Sequence, residues 1–469
     1  MSLVGDEVQQ KNDPHPPVLQ TISPPRRNKQ FSRMLAVAGA IVLFYVFGAG
    51  AMFFELPTSG FLSRAFLGAR AWNERRQTPE PLGVEHTPPA SLGPIDNPDK
   101  TFDGFTLYTC ASLTVASTQA FLVDMAGKVV HRWQLPYAQV RPKPPSVATD
   151  FDESQVTFFA THLYANGDLL VVFHGMQEWI NGFGLAKLDK DSNLIWMYPG
   201  NVHHDVDVAD DGTIYALAHK VVKEMPPGLQ RLYSPCLFDY LVVLDPEGKE
   251  IRKPISLLES IRDSVYAANL EALGPSNKPA VPGGVNFQSL VESFRARDPL
   301  HANSVKVLNC RTAKAFPYLK EGQVLVTLRN LDLILALDPV TESVVWSARG
   351  MWLGPHDAQF LDNGHLLIFD NLGSARSSRV LEYDPKTQSV PWAYPGDDNP
   401  PFLTIDRGMS QRLPNGNTLI VNSQGGEIIE VTARREPVWT CSTGRYICSA
   451  RRYAPQQLTF LKGDIHARP

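Results

Sequence analysis

Three histidines occupy comparable positions in strand-like segments, and their recurrence predicts a cluster in space. His204 precedes Asp211 by seven residues in HHDVDVADDGT, and His356 precedes Asn363 by the same seven residues in HDAQFLDNGH. His301 opens a comparable segment, HANSVKVL. The DDG and DNG sequences are typical of tight hairpin turns, so each histidine should begin the first strand of a hairpin. We therefore expect the three imidazoles to lie at the same end of neighbouring strands.

An arginine at the same end decides between two chemistries. Arg329 ends the strand-like run GQVLVTLRN and should lie near the three imidazoles. Three histidines can hold zinc with an open fourth position. A guanidinium repels a divalent cation, however, and binds sulfate or phosphate through paired N–H groups. Imidazole, with a pKa of about 6.5, can act as nucleophile when neutral and as proton donor when charged. The set therefore favours an oxyanion site without a metal.

The other histidines near these motifs have a structural interpretation. His203 adjoins His204, and the two-residue period of a strand predicts that it faces the opposite side of the sheet. His162, His174 and His219 are likewise expected to fill space and to make hydrogen bonds within blades.

The segments that position these residues belong to a repeat. Six segments combine an alternating apolar strand, a turn and a second strand. Their turn residues are Asp124, Asp189, Asp245, Asp338, Asp384 and Thr432. Five of the six end in tryptophan, at Trp133, Trp196, Trp346, Trp392 and Trp439. Between them lie a second set of hairpin signals, ANGD, DDGT, DNGH and PNGN. Each repeat thus predicts four antiparallel strands.

Six four-stranded units predict an all-β fold, a six-bladed β-propeller over residues 97–469. The first unit lacks an inner strand, whereas RRYAPQQLTF remains after the last tryptophan. We expect this C-terminal strand to complete the first blade. Helical periodicity in SLLESIRDSVYAANLEAL and NFQSLVESFRA predicts a helical insertion over residues 251–299. Two β-sandwiches are the alternative, which the regular repeat disfavours.

The N-terminal region predicts a membrane anchor. Residues 34–54 form an uncharged run long enough to cross the hydrocarbon core of a bilayer. Basic residues just before it predict a cytoplasmic N-terminus, with the propeller on the periplasmic or other extracytoplasmic side. A cleaved export signal is the alternative, although the run exceeds the usual length of such signals. Residues 1–33 then form a disordered cytoplasmic tail, and residues 55–96 a linker.

Composition excludes one class of partner and leaves the cysteines open. The chain has 44 basic and 48 acidic residues without long runs of either, so nothing indicates nucleic-acid binding. The five cysteines would lie in an oxidising compartment if the predicted topology holds. Cys441 and Cys448 could close a short loop, but an odd number of thiols leaves the connectivity undetermined.

The motifs HHD, H-x-N-S-V, LRN and P-H-D-A, in this order on a predicted propeller, resemble those of the bacterial aryl sulfate sulfotransferases. The resemblance covers roughly residues 102–469 and is strongest over residues 301–371. It implies an enzyme without nucleotide donor or cofactor. In that family a histidine takes a sulfuryl group from an aryl sulfate and passes it to a phenol by a ping-pong mechanism. The partners implied are therefore a small aryl sulfate donor and a phenolic acceptor.

Motif by motif, the resemblance assigns roles to five residues. His356 of PHDA would be the nucleophile. His204, His301 and Arg329 would bind the sulfuryl oxygens, and the two histidines would assist proton transfer. Asn303 of HANSV joins the substrate-binding set.

The membrane anchor and the helical insertion depart from the best-known branch of that family. Two other function classes stay open. One is a non-enzymatic, membrane-anchored propeller that serves as a binding or assembly scaffold. The other is a propeller enzyme that depends on a metal or a quinone.

Overall fold

The propeller is seen in a computed structural model that describes residues 97–111, 117–141, 156–175, 180–229, 232, 234–273, 297–374, 377–395, 402–461 and 467. In these ranges the chain forms six four-stranded antiparallel sheets. The prediction of an all-β, six-bladed propeller is thus confirmed. The predicted tail, anchor and linker, residues 1–96, lie outside the described residues. Among the helices that are described, none has the length and apolar character needed to cross a membrane.

Each blade runs from a strand at the centre to one at the rim. Blade 1 contains β1 (Phe105–Ala111), β2 (Gln119–Val123), β3 (Val129–Gln134) and, at the centre, the last strand of the described residues, β24 (Tyr446–Tyr453). Blade 2 contains β4 (Val156–Leu163), β5 (Leu169–Gly175), β6 (Gly182–Leu188) and β7 (Leu194–Tyr198). Blade 3 contains β8 (Val202–Val208), β9 (Ile214–Val222), β10 (Cys236–Leu244) and β11 (Ile255–Ser256).

The other three blades follow the same order along the chain. Blade 4 contains β12 (Ala302–Val307), β13 (Val324–Leu328), β14 (Leu333–Asp338) and β15 (Ser343–Arg349). Blade 5 contains β16 (His356–Phe360), β17 (Leu366–Ser374), β18 (Ser377–Asp384) and β19 (Ser389–Tyr394). Blade 6 contains β20 (Met409–Arg412), β21 (Thr418–Asn422), β22 (Glu427–Val431) and β23 (Pro437–Ser442).

The repeated turn aspartates form the outer hairpins by a local mechanism. The Asp189 carboxylate accepts the backbone N–H groups of Asp191 and Asn193, at 2.9 and 2.8 Å. In the sixth repeat the Thr432 hydroxyl accepts the N–H of Glu436 at 3.2 Å. Side chains that accept hydrogen bonds from the next few residues favour turns over strands. The repeat is therefore visible in the sequence because each turn depends on a single side chain.

The inner hairpins use glycine for its backbone freedom. Gly167, Gly212, Gly364 and Gly416 adopt φ of 89°, 87°, 87° and 86°. This left-handed conformation costs glycine nothing sterically but strains other residues. The Asn-Gly and Asp-Gly pairs therefore set where the first strand of each of these blades ends.

The recurring tryptophans connect neighbouring blades. In four of the five, the indole N–H donates to a backbone carbonyl in a turn of the next blade around the ring. These bonds join Trp133 to Gly167, Trp196 to Pro246, Trp392 to Ala433 and Trp439 to Met125. The last of them connects blade 6 to blade 1, since Met125 lies in the β2–β3 turn.

The C-terminal strand closes the ring as predicted, but it begins earlier in the sequence. Strand β24 pairs with β1, with Thr109 opposite Ser449. The segment RRYAPQQLTF contributes only its first three residues, because Pro455 starts a short 3-10 helix, Pro455–Gln457. Proline has no N–H to donate to a neighbouring strand, so the ladder ends before it.

The predicted helical insertion follows the two-residue strand β11. Helix α1 (Leu257–Arg262) is capped by the Ser256 hydroxyl, which accepts the N–H of Glu259 at 3.3 Å. A 3-10 helix, Ala267–Ala272, follows, and residues 274–296 lie outside the described residues. Another short helix, α2 (Cys310–Ala313), begins after β12. All five cysteines are free thiols, four of them buried.

Candidate active site

The four residues singled out by chemistry lie on three neighbouring blades. His204 is on β8, His301 directly precedes β12, Arg329 begins the turn after β13, and His356 is the first residue of β16. The rings of His204 and His301 have centroids 4.8 Å apart. The backbone N–H of Arg329 donates to the carbonyl of His301 at 3.1 Å. This arrangement agrees with the expectation that these residues lie at one end of the central channel.

Irregular inner strands aim these side chains. The pairing of β8, β12 and β16 with their neighbours shifts register near the histidines. His204, His301 and Asp357 have φ of 57°, 50° and 46°, in the left-handed region that side chains with a Cβ seldom adopt. Such strain is kept where the surrounding structure holds it, often at functional sites.

The same irregularity overturns the prediction for His203. The strand period placed its ring on the opposite face from His204. Instead, Nδ1 of His203 lies 2.7 Å from Nδ1 of His204. The register shift between His203 and Val206 interrupts the alternation, so both rings meet at the channel end.

His356 is held in one neutral form. Its Nδ1–H donates to Oδ1 of Asn371 at 2.7 Å, since the Asn371 amide N–H groups donate to the carbonyls of Thr404 and Arg407. Its Nε2 accepts the backbone N–H of Arg407 at 3.1 Å. Burial, and then the charges of Arg329 and His301, hold the pKa of His356 well below its usual value. The lone pair of His356 is therefore on Nε2.

A carboxylate holds His301. Nδ1 of His301 lies 2.5 Å from Oδ2 of Asp298. Burial raises the pKa of Asp298, but the charge and hydrogen bond of His301 outweigh this and leave it below the usual value. Asp298 is thus ionised and fixes the ring. Nε2 of His301 has no hydrogen-bond partner within the described part of the chain, so it is available to a ligand.

A second carboxylate lies beside the pair of adjacent histidines. Nε2 of His203 lies 3.1 Å from Oδ1 of Asp239, and both side chains are almost fully buried, at 2% and 1% exposure. Oδ2 of Asp239 accepts the backbone N–H of Ala302 at 2.9 Å. The ring of His219 stacks on that of His203, with centroids 4.8 Å apart. Asp239, His203 and His204 therefore form a continuous chain of contacts.

The other three blades contribute aromatic rings and a second arginine. The guanidinium carbon of Arg407 lies 3.3 Å from the ring centroid of Phe159 and 5.0 Å from that of Tyr446. The ring of His174 packs on those of Phe159 and His204, with centroid distances of 3.9 and 5.2 Å. Burial, followed by the charge of Arg407, holds the pKa of His174 well below its usual value. The site is thus lined from all six blades, and His174 contacts it rather than filling space elsewhere.

Asn303 has a structural contact at the site. Its side-chain N–H donates to the carbonyl of Pro355 at 2.9 Å, which ties β12 to the residue before His356. Its Oδ1 is buried and has no hydrogen-bond partner in the described ranges. The amide oxygen, which is an acceptor, and the second amide N–H are thus left for a ligand.

A buried ion cluster lies next to the histidines on the inner strands. We call it the axial ion cluster; its members are Asp205, Lys306, Asp357 and Arg451. Lys306 forms an ion pair with Asp205 and lies 3.4 Å from Asp357. Arg451 lies 3.9 Å from Asp357. Burial lowers the pKa of Lys306, but Asp205 and Asp357 outweigh it and raise the pKa above the usual value. Opposite charges thus fill the channel next to the histidines.

The histidines do not form a metal-ligand group in the described residues. Within the described residues, one group has its possible ligand atoms within 4.8 Å of one another: Asp210, Cys310 and Glu321, all of them exposed. It lies away from the channel histidines in the sequence and carries no other sign of a ligand.

Comparisons with known proteins identify the family. A family model described as arylsulfotransferase (ASST) matches residues 161–444, more than half of the chain. No curated protein matches the chain. Among solved structures, a protein of unknown function from Bacteroides caccae is 11% identical with a TM-score of 0.47, over 74% of this chain and 98% of that chain.

Two other solved structures are more distant. A functionally unknown protein from Desulfotomaculum acetoxidans is 8% identical with a TM-score of 0.39, over 75% of this chain and 99% of that one. The virginiamycin B lyase of Staphylococcus aureus is 8% identical with a TM-score of 0.32, over 64% and 84% of the two chains.

Proposed function

This chain belongs to the arylsulfotransferase family, and on that premise we propose that it moves a sulfuryl group from an aryl sulfate to a phenol through a sulfated His356. The observation that carries the proposal is the state of His356. Asn371 fixes its proton on Nδ1, and burial keeps the ring neutral, so Nε2 has the lone pair that a nucleophile needs.

In the first half-reaction, Nε2 of His356 attacks the sulfur of the aryl sulfate. The N–S bond forms, the S–O bond to the aryl group breaks, and the electron pair leaves on the phenolate oxygen. Attack requires Nε2 to give up the N–H of Arg407, now 3.1 Å away, which can then donate to a sulfuryl oxygen. Arg329 supplies positive charge and N–H groups for the other oxygens.

In the second half-reaction, the acceptor phenol loses its proton to a base, and its oxygen attacks the sulfur. The N–S bond breaks and His356 returns to the neutral state. His204 and His301 are the candidates for proton transfer, because each has a ring nitrogen that the described residues leave without a partner. One group reacts with two substrates in turn, so the kinetics should be ping-pong.

The donor and acceptor are small aryl compounds in this proposal, and the propeller meets them outside the cytoplasm. Residues 34–54 would hold it at the membrane surface as an uncleaved anchor.

The full chain in detergent, mixed with 4-nitrophenyl sulfate and phenol, tests the proposal through release of nitrophenolate. We expect release that depends on phenol, and a loss of about 1,000-fold or more in His356→Ala, because the nucleophile is gone. His365→Ala is the matched control, since His365 is in the same blade but pairs with Glu382. It should stay within about threefold of the wild-type rate.

Two results would contradict the proposal. Folded His356→Ala that keeps more than about a hundredth of the wild-type rate would remove the nucleophile role. No release from several aryl sulfates by the folded wild-type protein would favour a scaffold. Quenching before acceptor is added, followed by mass spectrometry, should place the sulfate on His356; sulfate on His301 would keep the reaction but move the nucleophile.

A further inference from the structure

The chain of contacts from Asp239 through His203 to His204 has only two neutral-ring proton arrangements. Nδ1 of His203 and Nδ1 of His204 are 2.7 Å apart, so one proton lies between them. Nε2 of His203 lies 3.1 Å from Oδ1 of Asp239, and a small turn of the ring would direct its N–H, which points past this oxygen in the structure, at the carboxyl group. The state of Asp239 thus decides which ring nitrogen of His204 bears a proton.

With Asp239 ionised, the carboxylate can only accept a hydrogen bond. Nε2 of His203 must then carry a proton, its Nδ1 must accept, and Nδ1 of His204 must donate. Nε2 of His204 is left with a lone pair. With Asp239 protonated, every bond in the chain reverses, and Nε2 of His204 carries the proton. Neither arrangement places a positive charge on a buried ring.

We propose that Asp239, His203 and His204 form a proton relay that takes the proton of the acceptor phenol and returns it to the departing phenolate. This inference rests on the proposed sulfuryl transfer and adds two positioning residues, Asp239 and His203, to it. The phenol proton goes to Nε2 of His204, the Nδ1 proton of His204 goes to Nδ1 of His203, and the Nε2 proton of His203 goes to Asp239. In the next cycle the same three protons move in the opposite direction.

The surroundings favour storage of the proton on the carboxyl group. His203 and Asp239 are nearly inaccessible to water, which penalises their charged forms. Burial lowers the pKa of His203 to about 4, and burial followed by the nearby charge of Asp298 raises that of Asp239 well above its usual value. A relay that ends in a neutral acid avoids an imidazolium in this environment.

The other titratable and charged groups around His204 point the same way. Besides His203, they are His174 and His301 on the neighbouring blades and Arg407 across the channel, and together with burial they lower the pKa of His204. An isolated His204 would therefore be a weak base. The connection to Asp239 is what would let it accept a proton without gaining a charge.

The test separates the two half-reactions of the full-length protein in Asp239→Asn. The oxygen of the introduced amide can keep the N–H of Ala302, while the amide N–H group faces His203 and locks the chain with a proton on Nε2 of His204. Nitrophenolate leaves without a proton, so its single-turnover burst from 4-nitrophenyl sulfate should stay within about threefold of wild type. After the burst the wild-type relay loses its proton through Nε2 of His204 to the buffer and can accept that of phenol, whereas the variant keeps Nε2 of His204 protonated. Transfer from the sulfated enzyme to phenol should fall about 100-fold or more, as for loss of a general base.

The dependence on the acceptor distinguishes a relay from a structural role. With phenols of increasing acidity, the ratio of variant to wild-type transfer rates should rise towards one, because an ionised acceptor needs no base. His203→Gln should likewise keep the burst and lose transfer to phenol. If Asp239→Asn does not fold, this variant alone tests the relay. His131→Gln changes a histidine on the outer strand β3, where it bonds to the carbonyl of Lys190, and should leave both steps within about threefold of wild type.

Three results would overturn the relay. Transfer to phenol that is unchanged in both folded variants would show that no proton passes through Asp239. An equal loss of the burst and of transfer, whatever the acidity of the acceptor, would show that the two residues only support the fold. Absence of a burst in the wild-type protein would overturn the sulfuryl transfer itself, and the relay with it.

Discussion

At the scale of single residues, the site depends on side chains that set the protonation of others. Asn371 fixes the tautomer of His356, and Asp298 fixes the orientation of His301. Arg329 has two effects on His356. Its charge lowers the pKa of the ring, second only to burial, and its planar N–H groups can hold sulfuryl oxygens.

Two substitutions of Arg329 separate these effects. Arg329→Lys keeps the charge but loses the planar group, so the burst rate should fall about 10-fold or more with an unchanged pH profile. Arg329→Gln removes the charge as well, so the pKa of His356 should rise towards its usual value. The ring then becomes protonated at a higher pH, and the burst should decline earlier on acidification than in wild type.

The burst rate, measured between about pH 5 and 8, checks this prediction. Wild type should be nearly flat over the range, since a depressed pKa keeps His356 neutral. An unchanged rate in Arg329→Lys would remove this arginine from the oxyanion site. A profile for Arg329→Gln that matches wild type would show that the charge does not act on His356.

The residue types and their order in the sequence were enough to predict that four residues lie close together: His204, His301, Arg329 and His356. The carboxylates behind them were not predicted, because their partners are distant in sequence. One signal was available: Asp239 is the only charged residue in the strand CLFDYLVVL. A buried carboxylate in an apolar strand needs a partner, and the partner is His203.

At the scale of elements, three inner strands meet through the axial ion cluster. Asp205 on β8, Lys306 on β12 and Asp357 on β16 come from three blades. Backbone N–H groups complete the network, since the N–H of Val305 donates to Asp205 and that of Ser410 to Asp357, each at 3.0 Å. This network fixes the strands that bear the histidines.

Lys306→Met should therefore destabilise the propeller. It leaves two buried carboxylates without their shared cation, and removal of one partner of a buried ion pair costs about 3–5 kcal/mol. Denaturant unfolding of the variant checks the value. Lys314→Met is the control, since Lys314 is exposed, and should change the free energy of unfolding by less than about 0.5 kcal/mol. An equal effect of the two substitutions would contradict the role of the cluster.

The elements that could be predicted are those with local causes. The turn aspartates, the Asn-Gly turns and the outer tryptophans each act within a few residues or on the next blade, so all six repeats were visible. The register shifts that aim His204 and His356 have no such marker. They arise from packing around the channel, which a two-residue period cannot represent.

At the scale of the whole molecule, the proposed membrane anchor, residues 34–54, can be tested directly. Full-length chain with a tag at each end should remain in the membrane fraction after an alkaline wash and keep both tags. Leu43→Arg combined with Val46→Arg should abolish insertion, since a charge at the centre of a span costs about 2.5–3.5 kcal/mol on insertion scales. Leu43→Ile is the control and should insert normally.

The tags distinguish the alternatives. Loss of the N-terminal tag alone would identify residues 34–54 as a cleaved export signal. Membrane association that survives the double arginine variant would contradict the anchor and assign attachment to another part of the chain.

The closing strand has a consequence for how the protein is made. Blade 1 takes three strands from the start of the propeller and its central strand from the end, so Thr109 and Ser449 meet across 340 residues. While the chain is being synthesised, β1 presents an open edge until the last strand emerges. Any product released before residues 446–453 have been made would have an unsealed ring. Incomplete chains therefore differ from complete ones by an exposed strand edge. We expect chaperones and proteases to act on these incomplete chains.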